Sequence, residues 1–501
     1  MPSRPLPAFS GAAFLAALAL CVFTAVPARA QTPCEGGFAG NYPCEGVDLL
    51  ANLPLSTFGP VVPSRGNDIW GWTDPQTGRE YALVGLTNGT AFVDVTEPTA
   101  PVYLGKLPTA TDASTWRDIK VYADHAFVVA DNAGSHGLQV FDLTRLRDVA
   151  SPPVTFTHDA RFTGFGSAHN VAIDTESGFA YVVGSFQCSG GLYIVDVRDP
   201  LNPVEAGCYP DDGYSHDAQC VTYAGPDPDH QGKEICVGSN ENHIVIVDVE
   251  DKANPEPISR GFYPEPWYTH QGWFTEDFRY FLVDDELDDS VSPTTRTLIF
   301  NVEDLDNPEF AFTYFGPIET TDHNLYIRGN HAFLSNYEGG LRILDLSGID
   351  DGTLVEVGSF DTYPQGNGES YDGQWSNYPF FASGTIIAND RDNGLFVLQT
   401  DLLPSAAEPS APQAHTVLSA PVPNPADGRS TLTLTVPEPV EVVAEVLDLR
   451  GRRVALLYEG PAAPSAPLVL AVDGADLPAG LYLVRVTGPD FTATRRLSLV
   501  H

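Results

Sequence analysis

Hydrophobic and polar positions alternate along most of this chain with the period of two expected of half-buried β-strands. The pattern is clearest in GLYIVDVRDPLNPVEAG, from Gly191 to Gly207. An alternating run from Leu192 ends in an aspartate. A turn rich in Asp, Asn and Pro follows, then a second short extended run. The same design returns as AFVDVTEPTAPVYLG from Ala91, LQVFDLTRLRDV from Leu138 and IVIVDVEDKANPEP from Ile244. It continues as LIFNVEDLDNPEF from Leu298, LRILDLSGIDDG from Leu341 and a clipped GLFVLQT from Gly394. With Asp94, Asp142, Asp196, Asp248, Asn301, Asp345 and Gln399 as markers, the copies lie about 44 to 54 residues apart. A β-rich repeat of that period predicts a propeller, one blade of about four strands per repeat, and seven markers predict seven blades.

Taken in order, the chain divides into five expected segments. Residues 1–30 form a signal peptide, 31–48 a leader, 49–400 the propeller, 401–420 a linker and 421–501 a small β-sandwich. Unit one carries four extended runs, DIWGW, EYALVGL, TAFVDV and VYLGKL. Unit seven, Asp372 to Thr400, supplies only three. The spare run from Leu49 to Phe58 is expected to complete it and close the ring, which removes exposed strand edges. The linker is rich in Pro, Ala and Ser without periodicity. The tail runs TLTLTV, VEVVAEVLDL, LVLAV, LYLVRV and TRRLSLV are joined by Gly, Pro and Asp turns, a sandwich pattern. The fold class is therefore expected to be all-β.

Charge narrows the range of partners. The 501 residues include 26 Lys+Arg against 66 Asp+Glu, a formal net charge of −40. That excess repels a polyanion and excludes nucleic acid as a partner class. It suits solubility in salt water, or alternatively surface capture of divalent cations. At the N-terminus Arg4, the apolar stretch Gly11 to Val26 and Ala28-Arg29-Ala30 make a cleavable export signal. The apolar run is too short for a membrane span, so the mature chain is expected to begin at Gln31 without a transmembrane segment. Six cysteines then remain for an oxidising compartment: Cys34, Cys44, Cys188, Cys208, Cys220 and Cys236. Disulfides are expected, and pairing of sequence neighbours is the simplest of fifteen connectivities for six cysteines. For Cys220 and Cys236 there is a geometric reason, since they lie on consecutive runs that can pair antiparallel.

Candidate chemistry sits where each unit begins. Polar pairs precede the first strands: Asn67-Asp68, Arg117-Asp118, His169-Asn170, His216-Asp217, His270-Gln271, His323-Asn324 and Asp372-Gly373. A second polar set follows the second strands, including Asp131-Asn132, Asn240-Glu241-Asn242, Asp284-Asp285-Glu286, Asn336-Tyr337-Glu338 and Asn389-Asp390. In an up-and-down blade both sets face one mouth of the channel, where a polar pocket would form. Asp and Asn at strand starts also close turns on local backbone, which is the structural alternative. The recurring His169, His216, His270 and His323 could hold a metal or, protonated, an anion. Zinc needs ligands converging to about 2.0–2.1 Å, and equivalent positions on separate blades are expected to diverge. The run Asp284-Asp285-Glu286 better suits Ca²⁺, which takes oxygen ligands, or is a solvated acidic loop. Trp273 and Trp375, just beyond the ring positions, could stack on an organic ligand or simply pack the channel. Neither G-x-S-x-G nor H-E-x-x-H occurs, and no carboxylate pair stands out for glycoside hydrolysis.

The repeats resemble LVIVD repeats, and the segments between them resemble the choice-of-anchor B family. The resembling stretches are NDIWGWTDPQTGREYALVG, YSHDAQCVTYAGPDPDHQGKEICVGSNEN, YTHQGWFTEDFRYFLVDDELDD, DHNLYIRGNHAFLSNYEGGLRILDLS and YPFFASG. The resemblance implies an exported propeller with a variable C-terminal attachment device and supplies no catalytic residues. PVPNPADG, VLDLRGRRVALL, LPAGLYLVRV and the terminal RRLSLV resemble a type IX secretion C-terminal sorting domain. That resemblance implies the type IX machinery as a partner, passage across an outer membrane, and release or surface attachment after tail removal. The leading expectation is a secreted or cell-surface propeller that presents a ligand- or cation-binding mouth to an unknown extracellular ligand. The alternatives are a metal-assisted hydrolase and a purely structural surface module.

Overall fold

The computed structural model describes residues 31–500 apart from 60, 62, 293, 404–416, 420, 422–423, 425, 427, 437–438, 448–451, 464–466, 475–476 and 490–491. The expected signal peptide and most of the expected linker lie outside the described residues. The described residues are all-β, with a few 3₁₀ turns and no α-helix. None of their helices is long and apolar enough to cross a membrane. Contacts divide the chain into two compact units, parted between residues 405 and 406.

In the first unit the described strands form seven sheets. Their innermost strands are Gly66–Thr73, Arg117–Tyr122, Asn170–Asp174, Asp217–Thr222, Thr269–Phe274, Leu325–Arg328 and Gln374–Tyr378. Each adjoins the next in chain order, and the last adjoins the first, which is the arrangement of a β-propeller. The repeat marker has a local cause. Asp94, Asp142, Asp196, Asp248, Asn301 and Asp345 each end a third strand and accept a hydrogen bond from the amide two residues on. The marker is an Asx turn, copied from sheet to sheet to turn the chain toward the outer strand. A β-bulge recurs where third and fourth strands pair, at Phe92/Val93, Ile194/Val195, Ile246/Val247, Ile299/Phe300 and Ile343/Leu344. Such bulges add twist to the outer edge.

The core lies between sheets. Leu83, Phe92, Ile119 and Phe141 fill one interface, and Ile235, Val237, Phe281 and Leu298 another. The strand Val47–Leu53 pairs antiparallel with Gly394–Thr400, Leu53 opposite Leu395, and completes the last sheet. The spare run is therefore a strand over Val47–Leu53, while Leu55–Phe58 is a 3₁₀ turn. The leader is more ordered than its composition suggests. Phe38–Ala39 and Tyr42–Glu45 form a hairpin, and Cys44 pairs with Phe360 on the edge of the sixth sheet. An edge with unpaired backbone groups recruits the strand, and Cys34–Cys44 anchors it. The other disulfides are Cys188–Cys208 and Cys220–Cys236, and the last pair stands directly opposite in the ladder.

The second unit has a sheet of Val417–Leu418, Arg429–Thr435 and Leu468–Asp473, and another of Arg453–Ala462, Val440–Leu447, Gly480–Thr487 and Thr492–Leu499. Leu432, Leu434 and Leu470 of one share a cluster with Val442, Val446 and Val484 of the other. The strand Arg453–Ala462 has no counterpart among the expected runs. It pairs with Val440–Leu447 through two register shifts, and its exposure follows no clean alternation.

Candidate functional site

Neighbouring innermost strands are not joined by a backbone ladder, so polar side chains must satisfy their inner groups. The pairs that open each unit do this. Asp68 accepts from the Ile119 amide (3.1 Å), Asp118 from Val171 (2.7 Å) and Gln271 from Leu325 (2.9 Å). Asn67 and Asn170 donate to the carbonyls of Thr115 and His216. Asp217 accepts from the following amide, of Ala218 (2.6 Å). Asn324 is buried beside His323, and its carbonyl accepts from Ser335 (2.8 Å). Asn67, Asp68, Asp118, Asn170 and Gln271 thus stitch sheet to sheet, whereas the bonds of Asp217 and Asn324 stay within their own sheets.

The histidines make one row. Ring centroids lie 4.3 Å apart for His169 and His216, 4.0 Å for His216 and His270, and 4.4 Å for His270 and His323. The expected divergence around the channel does not occur. A bulge between Thr269 and Gly272 re-aims His270 and Gln271, and His216 leans across to the next sheet. His323 closes the row against Trp375 at 4.6 Å and Tyr337 at 4.5 Å. His216 and His270 are only 4% and 1% exposed.

Hydrogen bonding fixes which nitrogen is free. His216 donates Nδ1–H to the carbonyl of His270 (2.9 Å), and His323 donates Nδ1–H to that of Trp375 (2.5 Å). His270 Nδ1 meets Asp284 Oδ1 at 2.8 Å. The same oxygen accepts the Gln271 amide (3.2 Å); burial raises the Asp284 carboxyl, and in its ionised form it can only accept, which makes the imidazole the donor. His169 Nδ1 lies 3.1 Å from Asp131. In a neutral imidazole, an Nδ1–H leaves Nε2 with a lone pair. Burial favours the neutral form: it pushes His216 and His270 well below the usual histidine range, with neighbouring imidazoles adding to the effect. His323 falls to about 3 through burial, despite its bond to the Trp375 carbonyl.

Glu286 faces two of these lone pairs. Its carboxylate oxygens lie 3.9 Å from Nε2 of His270 and 3.9 Å from Nε2 of His323. One ligand atom from each of the three residues falls within 4.8 Å of the other two. Ligands at about 2.1 Å from a tetrahedral ion sit about 3.4 Å apart, so a small inward movement closes the set. Tyr337 donates to Glu286 (2.6 Å) from a left-handed backbone, φ 42°, unusual for so bulky a residue. Burial raises the Glu286 carboxyl, and the Tyr337 bond partly offsets this.

The structure does not gather Asp284, Asp285 and Glu286 into one calcium cage. Successive side chains of a strand point to opposite faces, and the strand Tyr280–Asp285 separates them. Asp285 turns away to accept from Tyr263 (2.7 Å) and from the amides of Trp267 (2.8 Å) and Tyr268 (2.7 Å). Asp284 orients His270, and only Glu286 faces Nε2 atoms. Nor do the two tryptophans share a mouth. Trp375 packs on His323, whereas Trp273 lies further along its strand, edge-on to Tyr326 at 5.1 Å. There it lines a cavity with Trp70, Tyr378 and Phe380. Between the two ends Lys120 pairs with Asp118 (2.7 Å) and approaches Asp68 (3.9 Å). Sequence reasoning passed over Lys120. Its signal was a lone lysine two residues after Asp118, on the same inward face.

No curated protein sequence matches the chain. Similar solved structures include Kuenenia stuttgartiensis hydrazine synthase, 14% identical over 64% of this chain and 92% of that one, with a TM-score of 0.46. The Cps50 (Swd1) β-propeller domain of Myceliophteria thermophila is 11% identical over 66% and 96%, with a TM-score of 0.43. The periplasmic gluconolactonase PpgL of Pseudomonas aeruginosa is 11% identical over 59% and 85%, with a TM-score of 0.41. The LVIVD repeat family model matches residues 165–211 and 231–260, so the chain carries LVIVD repeats on its β-propeller fold.

Proposed function

We propose that this protein is an exported seven-bladed propeller that holds one transition-metal ion at a channel mouth. His270, His323 and Glu286 are the ligands, and His216 stands beside them. The observation that carries the reading is the hydrogen bonding of the imidazoles. Each of His216, His270 and His323 spends Nδ1–H on a carbonyl or carboxylate and keeps Nε2 as a lone pair. Tying up one nitrogen in this way is how proteins orient histidine ligands. Two imidazoles with one carboxylate favour a borderline ion such as Zn²⁺ over Ca²⁺, which takes oxygen. The disulfides suit an oxidising compartment. Together with the Ala28-Arg29-Ala30 cleavage signal and the tail motifs, they support export by the type IX route to the medium or cell surface. The shared core of its two sheets supports a β-sandwich for the tail.

A second reading, metal-assisted hydrolysis, draws on the count of ligands. Three protein ligands leave a coordination position for water, as catalytic zinc sites do. Metal analysis of the purified protein, followed by Zn²⁺ titration after chelation, tests the main reading. One equivalent is expected, with affinity lowered at least a hundredfold in His270→Ala and His323→Ala. A protein that binds no Zn²⁺, or binds it equally well in both variants, leaves the structural-module alternative.

A further inference from the structure

The end of the channel opposite the histidine row carries features that metal binding does not use. A cavity of about 470 Å³ opens there, within the range of small-molecule sites. Its aromatic walls come from different sheets: Trp70 from the first, Trp273 from the fifth and Tyr378 from the last, with Phe380 just beyond the end of that strand. Both tryptophans pack edge-on to Tyr326, at 5.7 and 5.1 Å, and both remain partly exposed. Trp72, by contrast, is buried and spends its indole N–H on Asp124 (3.1 Å). Among the described residues, no hydrogen bond engages the indole N–H of Trp70 or Trp273.

Gln219 supplies a further donor. Its Oε1 accepts from the Phe274 amide at 2.7 Å, which commits the oxygen and leaves the NH₂ group without a protein partner among the described residues. Gln219 is only 8% exposed, yet it lines the cavity. The NH₂ group reaches the open cavity, where water accepts from it until the acceptor of a ligand takes that place. The charges nearby are balanced, because Lys120 is met by Asp118 at 2.7 Å and by Asp68 at 3.9 Å. Among the described residues that line the cavity, no unpaired cation is left to attract an anionic ligand, and the net charge of −40 repels one.

We infer that this mouth is a second binding site, for the ring of a neutral sugar within an oligosaccharide. A pyranose offers an apolar C–H face to an indole and hydroxyl acceptors to Gln219 and the two indole N–H groups. A hydrocarbon ring of the same size would leave those donors unpaired, and a site built to hydrogen-bond discriminates strongly against such an analogue. A uronate or phosphate would meet a paired lysine and a carboxylate. The inference does not depend on the metal reading, since none of its residues belongs to the histidine row.

The test is tryptophan fluorescence and calorimetric titration of the full chain with cellobiose, maltose, lactose and N,N′-diacetylchitobiose. Digalacturonate and cyclohexanol serve as charged and apolar controls. At least one neutral disaccharide should bind saturably, and neither control should compete. Trp273→Ala should weaken that binding at least tenfold, and His270→Ala should leave it unchanged. Gln219→Glu keeps an acceptor for the Phe274 amide while removing the donor, so it should show the same loss even if Trp273→Ala folds poorly. The inference is overturned if none of the four sugars binds, if digalacturonate or cyclohexanol binds more tightly, or if Gln219→Glu binds sugar as well as the parent.

Discussion

Single side chains in this protein often do two jobs, and the sequence reveals one of them. Asp68 and Asp118 were legible as polar positions facing the channel, but their bonds to Ile119 and Val171 depend on neighbouring sheets coming together. Glu286 was legible as a carboxylate, while its separation from Asp285 is a matter of strand pleat that a run of like charges hides. Asp74 shows how such a residue can be weighed. It is fully buried and accepts two bonds from Arg147, at 2.8 and 2.7 Å, as well as bonds from Gln76 and Thr77. Burial alone would raise its carboxyl, yet these bonds outweigh burial and hold it at about 2, against 3.8 unperturbed. A folded-state value below the unfolded one gives stability that is present above the unfolded value and lost as pH falls through the folded one. Asp74→Asn should therefore cost about 2 kcal/mol at pH 7, less than a fully buried pair because Arg147 is partly exposed. That deficit should shrink by more than half between pH 4 and pH 2. Urea unfolding of both proteins at pH 7 and pH 2.5 measures it, and a deficit independent of pH would contradict the assignment.

At the scale of the element, the repeat was legible because each copy carries its own stop signal. The alternating third strand and the Asx turn after it are local chemistry, so subtraction of marker positions found the units. Less was legible where an element depends on a distant partner. The strand Arg453–Ala462 lacks alternation and is held by pairing with Val440–Leu447. The hairpin at Phe38–Glu45 exists because the sixth sheet has an open edge. The closing strand Val47–Leu53 lies between these cases: its apolar content was visible, and its partner followed from the missing strand in the last unit. Leu50, Leu53 and Phe58 pack with Ile69, Val84 and Ala91 of the first sheet and with Leu395 and Val397 of the last. Removing side-chain volume there should loosen the join between the two ends of the propeller. Leu53→Ala is expected to cost about 2 to 4 kcal/mol, the usual range for a buried leucine in a core that collapses only partly. Leu201→Ala, at an exposed turn, should change stability by less than about 0.5 kcal/mol. Chemical unfolding of the two variants side by side decides the matter. Equal effects would mean that the closing strand is peripheral.

For the whole molecule the dominant quantity is charge, and two electrostatic effects compete over it. Salt screens favourable surface pairs such as Arg429–Asp473 and Arg279–Glu303, which lowers stability. It also screens repulsion among excess carboxylates, which raises stability. Exposed pairs contribute about 0–1 kcal/mol each and are limited by the 26 basic residues, whereas the excess of acidic groups leaves a net charge of −40. Many of those acids sit on exposed turns between third and fourth strands, Asp199, Asp251 and Asp304 among them. The screening length falls from about 30 Å at 0.01 M to about 3 Å at 1 M, so repulsion between turns of neighbouring sheets is removed across that range. Buried pairs such as Arg296–Asp288 and Lys120–Asp118 change far less. Relief of repulsion should therefore win. The melting temperature is expected to rise steadily from 0.01 to 1 M NaCl, with chelator present so that divalent ions at the histidine row add nothing. Sodium chloride and tetramethylammonium chloride should act alike, because screening does not depend on the identity of the cation. A melting temperature that falls with salt, or that responds to sodium alone, would show that specific ion contacts and not net charge govern the stability of this fold.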